Sequence, residues 1–572
     1  MKRGDFKRLK MDYSELAKVY EELEATTSKL EKTEIISIFL KRIPNDLLNV
    51  APLLLMGKVF PEWSPLELGV GPSLLYDSIS SVSGISKKDI EILLREEGDI
   101  GLAVERLVTE KKLKKEKVQS SLFIRKLSIQ DVYDTFKKIS TTSGSKSQQR
   151  NVRHISNLLL NSAPQEAKYI TRTILKELRV GVAEGLVRDA IAKAFDCPVK
   201  TVERAFMLTN DFGKVAVTAA EKGEKGLEGL SMAVGVPLKP MLAQITPSLE
   251  AGLEDVGRAS VEIKYDGARV QIHKHGDDIR IFSRRLEEVT KPLPDIVQNV
   301  LEAVKVEDVI LDGEAVAIDP KTNKPRPFQD MLRRFRRKYD VKKSAEEIPI
   351  FVYIFDILFL DGETLIDLSF EERRKRLEEI VDPVPDKFEL AGQLVSKDMV
   401  KIDEFYHRSL DMGHEGVMIK NLDSAYIPGA RVGHMYKIKP VMETLDLVIT
   451  GALWGTGKRV GWLSSYLLSS RDEITGEFVP LGRVGTGVTE EQLDEFTKLL
   501  KPLVEYESGS EVIIKPEVVV EIAYQEIQKS SKYDSGYALR FPRVIRLRDD
   551  KSPDDADTIE RVARLYEAQG TK

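Results

Sequence analysis

The sequence predicts a multi-domain protein with an all-α N-terminal domain, an α+β middle domain and a small β-barrel at the C-terminus. A length of 572 residues exceeds what one hydrophobic core usually supports. The spacing of apolar residues changes from a helical period to a period of two after about residue 260, and short strands with glycine-rich turns follow residue 440. We therefore expect domains over residues 1–236, 237–442 and 443–572.

The first third of the chain carries the helical pattern. From Tyr13 to about Phe212, apolar residues recur at positions i, i+3, i+4 and i+7, which is the spacing of one buried helix face. The glycine-rich stretch 222–226 and the Pro-Leu-Lys-Pro stretch 237–240 break this rhythm. We expect these two stretches to mark the linker to the middle domain.

The middle and last thirds read as strands and helices in alternation. In the middle domain the patterns predict a hairpin over 270–282, strands over 309–318 and 350–360, and helices over 370–380 and 402–412. In the last domain they predict strands over 445–449, 465–469, 478–484 and 518–525, and helices over 490–503 and 557–569. Strands with one inserted helix suit a small five-stranded barrel.

Composition narrows the class of protein. The single cysteine, Cys197, excludes an intramolecular disulfide and a cysteine-rich zinc site, which fits a reducing, cytoplasmic location. The longest apolar run, 348–360, contains Asp356 and is too short to span a bilayer, so no membrane partner is expected. No signal peptide is visible at the N-terminus. The net charge of −5 means that binding to nucleic acid must rely on local basic clusters, such as residues 332–338.

The most informative segment is Glu-Ile-Lys-Tyr-Asp-Gly-Ala-Arg at residues 262–269. A lysine between a strand and a glycine turn is well placed to act as a nucleophile, provided that desolvation or neighbouring cations such as Arg269 favour its neutral amine. Glu262 and Lys264 lie two residues apart, so on a strand both side chains point to the same face. Taken alone, this segment is better explained as a polar hairpin turn on an ordinary sheet.

Further short segments follow in a fixed order. They are Ser-Arg-Arg at 283–285, Leu-Asp-Gly-Glu at 311–314, Tyr-Ile-Phe-Asp at 353–356, Glu-Gly-Val-Met-Ile-Lys at 415–420, Tyr-Lys-Ile-Lys-Pro at 436–440 and Arg-Asp-Asp-Lys at 548–551. This ordered series resembles the nucleotidyltransferase motifs of the superfamily that contains DNA ligases and mRNA capping enzymes. An ordered series over roughly 290 residues is far more specific than any single motif.

The resemblance implies roles for individual residues. Lys264 would attack the α-phosphate of a nucleotide, expel pyrophosphate and carry AMP as a phosphoramidate. The residues implied in nucleotide binding are Glu262, Arg269, Arg284, Glu314, Phe355, Arg431, Lys437 and Lys439. Among these, cations would offset the charge on phosphoryl oxygens, and Phe355 would stack on the purine, although most phenylalanines in such runs are core residues. Glu314 and Glu415 would bind Mg²⁺ or Mn²⁺ through hard oxygen ligands.

The resemblance also implies an OB-fold and a moving C-terminal motif. Arg543, Arg548, Asp550 and Lys551 would orient the pyrophosphate leaving group and then move away, with a hinge near residues 441–443. The alternative is a solvated basic tail. Two histidines, His273 and His275, share one face of the predicted hairpin, but an exposed hairpin is favoured over a zinc site because no third ligand is evident.

The N-terminal third indicates which branch of the superfamily is involved. Residues 172–182, running into the helix over 186–195, resemble the DNA-binding domain of archaeal and eukaryotic replicative ligases. Lys176, Arg179 and the turn at Gly181 are then candidate DNA contacts that grip phosphates without reading sequence, and an ordinary surface helix is the alternative. Residues 119–123, with Gln119, Leu122 and Phe123, resemble a motif that binds a sliding clamp of the PCNA type. Leu122 and Phe123 are equally compatible with a core position.

We therefore interpret the chain as an ATP-dependent DNA ligase of archaeal type. It would seal 5′-phosphate/3′-hydroxyl nicks in replication, repair and recombination, with ATP, or alternatively ADP or GTP, as the nucleotide and nicked duplex DNA as the substrate. Family analogy implies a monomer. The alternatives are an RNA ligase or guanylyltransferase, which has no need for the first third, and a catalytically silent scaffold that binds nicks.

Overall fold

A computed structural model describes residues 11–110, 126–246, 248–326, 328–335, 337, 339–439, 443–455, 459, 461–485 and 488–570. The described residues divide into two compact units. The first unit lies within residues 1–397 and 418–437, and the second within 398–417 and 438–572. The predicted three-domain division remains a prediction.

The N-terminal part of the first unit is helical, as predicted. Its helices are α1 Tyr13–Ala25, α2 Lys29–Arg42, α3 Ala51–Leu55, α4 Pro72–Ser83, α5 Lys87–Glu97, α6 Ile100–Thr109, α7 Ile129–Thr141, α8 Ser147–Asn161, α9 Pro164–Ile174, α10 Glu184–Ala194, α11 Val199–Thr209 and α12 Phe212–Glu228. Side chains such as Leu16, Tyr20 and Leu23 are fully buried in one hydrophobic core. The apolar face that the periodicity predicts is therefore the face that packs.

The predicted linker at 222–226 is wrong. These residues lie inside α12, which is interrupted at Gly223, where φ is 60° and ψ is −155°. Glycine adopts this left-handed φ without the steric penalty of a side chain, so the helix kinks there and continues to Glu228. The glycine-rich composition therefore signals a kink within a helix. The connection to the next strand begins only after α12 ends.

The rest of the first unit is built on two sheets. Its elements are β1 Leu242–Ile245, α13 Leu249–Val256, β2 Ala259–Lys264, β3 Ala268–His275, β4 Asp278–Ser283, α14 Pro294–Ala303, β5 Asp308–Ala317, α15 Phe328–Phe335, α16 Val341–Glu347, β6 Ile350–Leu360, β7 Glu363–Thr364, α17 Phe370–Ile380, β8 Phe388–Leu390 and β9 Gln393–Val395. Helix α18 Met399–Asp411 belongs to the second unit, and strands β10 Gly416–Asn421 and β11 Arg431–Ile438 follow it.

The two sheets divide these strands between them. One sheet has the order β1-β11-β10-β2-β9, and the other has the order β4-β3-β5-β6-β7, with β8 also paired to β6. Most of the pairings with a defined register are antiparallel, while β1 with β11 and β6 with β8 are parallel. The predicted strand over 350–360 and helix over 370–380 match β6 and α17 residue for residue. The predicted hairpin is β3 and β4.

The second unit is rich in strands. Its remaining elements are β12 Leu445–Trp454, β13 Leu463–Arg471, β14 Phe478–Val484, α19 Glu490–Leu500, β15 Val504–Ser508, β16 Glu511–Ile514, β17 Val519–Ala523, β18 Glu526–Lys529, β19 Tyr537–Arg540, β20 Arg543–Leu547 and α20 Ile559–Gly570. Seven strands form one sheet and β18 pairs with β19. The sheet therefore has more strands than the five predicted. The sequence patterns did not predict β15, β16 and β20 of this sheet. Strand β15 has only five residues, and residues 505–508 are exposed, so no buried face marks it in the sequence.

Candidate active site

Lys264 is the last residue of β2, at the point where the chain passes from one sheet of the first unit to the other. Its side chain is half-buried. The connection to β3 runs close to β5, since a Cβ atom at Gly267 would lie 2.4 Å from the carbonyl oxygen of Ala315. Only glycine permits this approach of two backbones. The glycine of the motif therefore determines how closely the lysine loop packs on the neighbouring sheet.

Tyr265 anchors the same loop on its other side. Its ring stacks on that of Tyr353, with centroids 3.9 Å apart and planes inclined by 9°. The backbone N–H of Gly392 donates to the Tyr265 hydroxyl at 3.0 Å. Burial raises the pKa of Tyr265 above its ordinary value, so the hydroxyl stays neutral. Stacking and hydrogen bonding together restrain the residue that follows Lys264.

Glu262 lies on the same strand as Lys264 and is 2% exposed. Its Oε2 forms an ion pair with Lys420 Nζ at 2.5 Å. Gln393, the register partner of Glu262 on β9, places its Nε2 3.5 Å from Oε1. A buried carboxylate needs such a counter-ion to remain charged. The structure thus pairs Glu262, predicted to bind nucleotide, with Lys420, to which the sequence assigned no role.

Phe355 is half-buried and is not a plain core residue. Lys420 Nζ lies 4.6 Å from its ring centroid, and the guanidinium carbon of Arg269 lies 5.4 Å from it. Cations at this distance are attracted to the electron-rich face of an aromatic ring. The ring of Phe355 is therefore close both to Lys420, the partner of Glu262, and to Arg269.

Arg269 is held by three groups of the first unit. Its Nε donates to Asp312 Oδ1 at 2.9 Å, Nη2 donates to Asp312 Oδ2, and Nη1 donates to the Met241 carbonyl at 2.7 Å. The hydroxyl of Tyr426 accepts a hydrogen bond from Arg269 Nη2 at 3.1 Å and donates to Asp312 Oδ2 at 2.9 Å. Arg269 is therefore half of an ion pair, and it lends the site less net positive charge than the sequence predicts. Burial beside Asp312 raises the pKa of Tyr426.

The other predicted nucleotide ligands of the first unit lie on the same two sheets. Glu314 is half-buried on β5, in register with Arg269 on β3 and with Tyr353 on β6. Arg284 is exposed just after β4. Arg431 begins β11 and donates to the Ala243 carbonyl at 3.1 Å, and Lys437 is half-buried near the end of the same strand. The contacts given above join Glu262, Phe355 and Arg269, and the strand register adds Glu314 to them.

The second unit holds Glu415 and Lys439 together. Lys439 Nζ lies 2.7 Å from Glu415 Oε2, and Gln525 Nε2 donates to Glu415 Oε1 at 3.1 Å. The carboxylate is therefore oriented by one charged and one neutral donor. Across the described part of the chain, no group of three or more His, Cys, Asp or Glu side chains is arranged to hold a metal ion.

The C-terminal motif forms a charged network within the second unit. Arg548 Nη1 donates to both oxygens of Asp446 at 2.9 Å, its Nε and Nη2 donate to Asp550 at 2.8 Å, and Lys551 Nζ donates to Asp446 at 2.7 Å. The bonds from Arg548 hold the pKa of Asp550 well below its usual range. Arg543 is exposed on β20. This is an ordered ion-pair cluster and not a solvated basic tail.

Comparison with known proteins identifies the family. Three family descriptions match in chain order: "DNA ligase N terminus" over residues 12–192, "ATP dependent DNA ligase domain" over 240–439 and "ATP dependent DNA ligase C terminal region" over 459–551. The chain is 51% identical to the DNA ligase of Thermococcus fumicolans over 98% of its own length and 99% of that protein. The chain belongs to the ATP-dependent DNA ligases. Family members use ATP and seal nicks in DNA, and this chain is such an enzyme.

Other relatives agree with this family assignment. The DNA ligase of Archaeoglobus fulgidus is 48% identical, with coverage of 98% of this chain and 99% of that protein. A solved structure named Pmar-Lig_PreS3 is similar over 93% of this chain and 99% of its own, with a TM-score of 0.56 and 18% identity. At that identity the structural likeness shows the fold alone. The relatives fit the archaeal type that the sequence predicts.

The ligase carries its predicted DNA contacts on a strained loop between α9 and α10. Lys176, Arg179 and Gly181 have φ values of 60°, 61° and 65°, which is the left-handed region that disfavours side chains. They line a depression of about 330 Å³ with Met56. Beneath the loop, Lys32 donates to the Val180 carbonyl at 2.5 Å. Lys176 and Arg179 are both exposed, while Arg179 also lies 3.1 Å from Glu177.

A buried cluster supports this loop, and the sequence did not reveal it. Arg172, in α9, is 2% exposed and pairs with Asp99 at 2.5 Å and with Glu24 at 3.0 Å. No local pattern in the sequence could reveal these pairs, because their members are far apart along the chain. Their contacts connect α1, the start of α6 and α9. The loop after α9 is therefore attached to an ion-paired core.

The two histidines of β3, His273 and His275, have different surroundings. His273 is fully buried: the N–H of Gly235 donates to its Nδ1 at 3.0 Å, and its Nε2 lies 2.9 Å from Gln271 Oε1. The predicted exposed hairpin is thus wrong for His273 and right for His275. Burial lowers the pKa of His273 to about 3.

The clamp-motif residues Gln119, Leu122 and Phe123 lie outside the described residues. No described helix is long and apolar enough to cross a membrane.

Proposed function

We propose that Lys264 is the nucleophile through which this ligase activates nicked DNA. The observation that carries the proposal is the position of Lys264 at the end of β2, on the strand of the buried Glu262 and in the loop that Gly267 holds against β5. A nucleophile held on a restrained segment of backbone is what nucleophilic catalysis requires. The role of each neighbouring residue follows from its position and charge.

The reaction has three covalent steps that balance. The neutral amine of Lys264 forms a bond to the α-phosphorus of ATP, the bond to the pyrophosphate leaving group breaks, and the lysine nitrogen loses a proton. An oxygen of the 5′-phosphate at the nick then bonds to the phosphorus of the AMP, the bond from that phosphorus to the Lys264 nitrogen breaks, and the nitrogen takes up a proton. Finally the 3′-hydroxyl attacks the activated 5′-phosphate, loses its proton and releases AMP. The product is one phosphodiester bond.

The nucleotide would occupy the first unit beside Phe355. Stacking on the exposed part of that ring would hold the purine, and Glu262 would accept a hydrogen bond from it. Arg269, oriented by Asp312, together with Arg284, Glu314, Arg431 and Lys437, would contact ribose and phosphates. Preorganised cations stabilise the charge that develops on phosphoryl oxygens during transfer. ADP and GTP are the alternative nucleotides to test beside ATP.

The second unit would supply the remaining groups. Lys439 would act on the phosphates, and Arg543, Arg548, Asp550 and Lys551 would orient the leaving pyrophosphate. Ordered cations such as Arg548 suit a planar, bidentate contact with phosphate. For this, Arg548 and Lys551 must exchange the Asp446 carboxylate for phosphate oxygens. The hydrogen bonds from Arg548 and Lys551 are charge-assisted whether they go to Asp446 or to a phosphate.

The acidic residues suit a divalent ion. Glu314 in the first unit and Glu415 in the second each provide the hard oxygen donors that Mg²⁺ or Mn²⁺ prefers, and such ions keep waters and phosphate oxygens as further ligands. The ion supplies charge neutralisation at the triphosphate when it is bound. In this structure Glu415 is paired with Lys439. Metal binding there would therefore require this pair to separate.

Three properties of the whole enzyme belong to the same proposal. Domains over 1–236, 237–442 and 443–572 would together surround nicked duplex, with Lys176, Arg179 and Gly181 gripping its phosphates. Residues Gln119, Leu122 and Phe123 would bind a sliding clamp. We further propose a cytoplasmic monomer, in keeping with the single cysteine Cys197, which is free and buried.

The test uses α-labelled ATP with Mg²⁺, comparing the wild-type protein with Lys264→Ala. The matched control is Lys274→Ala, which removes a buried lysine from β3 of the same unit. We expect covalent label on wild type and on Lys274→Ala but not on Lys264→Ala, and release of the label when a 5′-phosphorylated nicked duplex is sealed. Label on Lys264→Ala would refute the proposed nucleophile. A label that only nicked RNA discharges would favour an RNA ligase.

A further inference from the structure

Lys420 is a buried lysine beside Glu262 and Phe355, and the proposed function assigns it no step of the reaction. It is 7% exposed and lies on β10. Its ammonium is 2.5 Å from Glu262 Oε2 and 4.6 Å from the ring centroids of both Phe355 and Phe370. A lysine is rarely buried unless it is paired. Here the partner, Glu262, and one of the two rings, Phe355, are the groups proposed to contact the purine.

The ion pair restricts what Glu262 can do. Lys420 occupies one carboxylate oxygen, and Gln393, whose Nε2 donates to Ser260 Oγ at 2.8 Å, approaches the other at 3.5 Å. Donors thus face both oxygens, which matches an ionised carboxylate and leaves it without a proton to donate. An ionised carboxylate offers lone pairs only. Towards a ligand, Glu262 can therefore act as a hydrogen-bond acceptor and not as a donor.

The two common purines differ in what they present at position 6. Adenine carries an amino group, which donates, and guanine carries a carbonyl oxygen, which accepts. A polar group built to bond one form strongly disfavours the other, because an unmatched buried group loses its hydrogen bond. We propose, on the basis of the nucleotide pocket proposed above, that Lys420 is a positioning residue that sets the preference for adenine by holding Glu262 as a fixed, ionised acceptor.

The aromatic rings contribute to the same arrangement. Because Lys420 lies against Phe355 and Phe370, its ammonium has favourable surroundings other than water. This keeps the lysine from leaving the pocket for solvent, and so it stays on Glu262. The ring of Phe355 then has a fixed cation beside it where the purine would stack. Position and charge of the acceptor are both set before the nucleotide enters.

The experiment measures the rate of covalent labelling with ATP and with inosine triphosphate, which differs from ATP only by a 6-oxo in place of the 6-amino group and the accompanying proton on ring nitrogen. Wild type should favour ATP by roughly 10- to 100-fold. In Lys420→Met, the ratio of the labelling rate with ATP to the rate with inosine triphosphate should fall by about tenfold, mainly because labelling with ATP becomes slower. Lys420→Arg, which keeps a cation, should retain most of the preference.

Controls separate specificity from a loss of structure. Lys274→Met removes another buried lysine, whose Nζ donates to the Val306 carbonyl at 2.5 Å, and it should leave the ratio unchanged. A purely structural role for Lys420 would slow labelling with both nucleotides equally. If Lys420→Met does not fold, Lys420→Gln removes the charge while keeping a polar group, and the same ratio decides.

The outcomes distinguish this inference from the proposed function. An ATP-to-inosine-triphosphate ratio that stays within twofold of wild type in Lys420→Met or Lys420→Gln overturns the role of Lys420, even while labelling persists. A wild-type enzyme that uses both nucleotides equally overturns it as well. By contrast, absence of label on wild type, or its presence on Lys264→Ala, overturns the proposed nucleophile.

Discussion

Replacing Asp312 by asparagine tests whether the Arg269 cluster prepares the site for adenylation. Asp312 is 1% exposed and accepts two bonds from Arg269 and one from the Tyr426 hydroxyl. Asparagine has nearly the same shape but places an NH₂ group, which is a donor, where one of the two acceptor oxygens stood. One guanidinium N–H then faces another donor. We expect Arg269 to lose its fixed orientation while the fold persists.

The magnitude follows from the bonds that change. A hydrogen bond to a charged group contributes about 1.5–3 kcal/mol, and 1.36 kcal/mol corresponds to a tenfold change in rate. Loss of one such bond in Asp312→Asn should slow labelling with ATP by roughly 10- to 100-fold. Tyr426→Phe removes a hydroxyl from the same cluster but leaves the ion pair intact. Its effect should be smaller, on the order of 2- to 10-fold.

The assay is single-turnover formation of the labelled enzyme at saturating ATP, with melting temperature as the measure of folding. The order of rates should be wild type, then Tyr426→Phe, then Asp312→Asn. Asp312→Asn labelling within twofold of wild type would refute the reasoning, because Arg269 would then not depend on its carboxylate. A larger loss in Tyr426→Phe than in Asp312→Asn would show that the hydroxyl matters more than the ion pair.

Three other predictions concern the loop, the buried histidine and the DNA contacts. Gly267→Ala should slow labelling at least tenfold without unfolding the protein, since its Cβ would meet the Ala315 carbonyl; wild-type labelling would contradict the close approach. The depressed pKa of His273 means that the unfolded chain is protonated first as pH falls below 6.5, so stability should fall by about 1.4 kcal/mol per pH unit towards the folded pKa of about 3. His273→Gln should make the melting temperature depend less steeply on pH in this range. Equal slopes in the wild-type and His273→Gln proteins would show that His273 is not the group responsible. Lys176→Ala and Arg179→Ala should each weaken binding to nicked duplex and lower the slope of log affinity against log salt by about one; an unchanged slope would place both outside the DNA interface.

Sequence reasoning succeeded where a single period dominates a segment. The strand over 350–360 and the helix over 370–380 have their predicted ends because an apolar run and a capping serine, Ser369, mark them locally. It failed at 222–226, where glycines indicated a linker and the chain forms a kinked helix. It also failed for β15, a five-residue strand that is exposed over residues 505–508 and so has no buried apolar face. In these cases packing elsewhere outweighs the local signal.

In the candidate site, too, some features could be predicted from local sequence and others depend on long-range packing. Lys264, Glu262 and Phe355 stand in motifs, so their residue types and order could be read from the chain. The partners that orient them could not: Tyr426 is 114 residues from Asp312, and Lys420 reaches Glu262 only because β10 lies beside β2. Such contacts depend on strand order in a folded sheet. No local pattern encodes that order.

The amino-acid sequence by itself determined the family and the order of helical and strand-rich regions and predicted Lys264 as the nucleophile, since periodicity and ordered motifs are properties of neighbouring residues. The tertiary structure alone decided that Arg269 is neutralised by Asp312, that His273 is buried and that Lys420 holds Glu262. Charge, burial and orientation of a side chain are set by what surrounds it, and those surroundings come from distant parts of the chain.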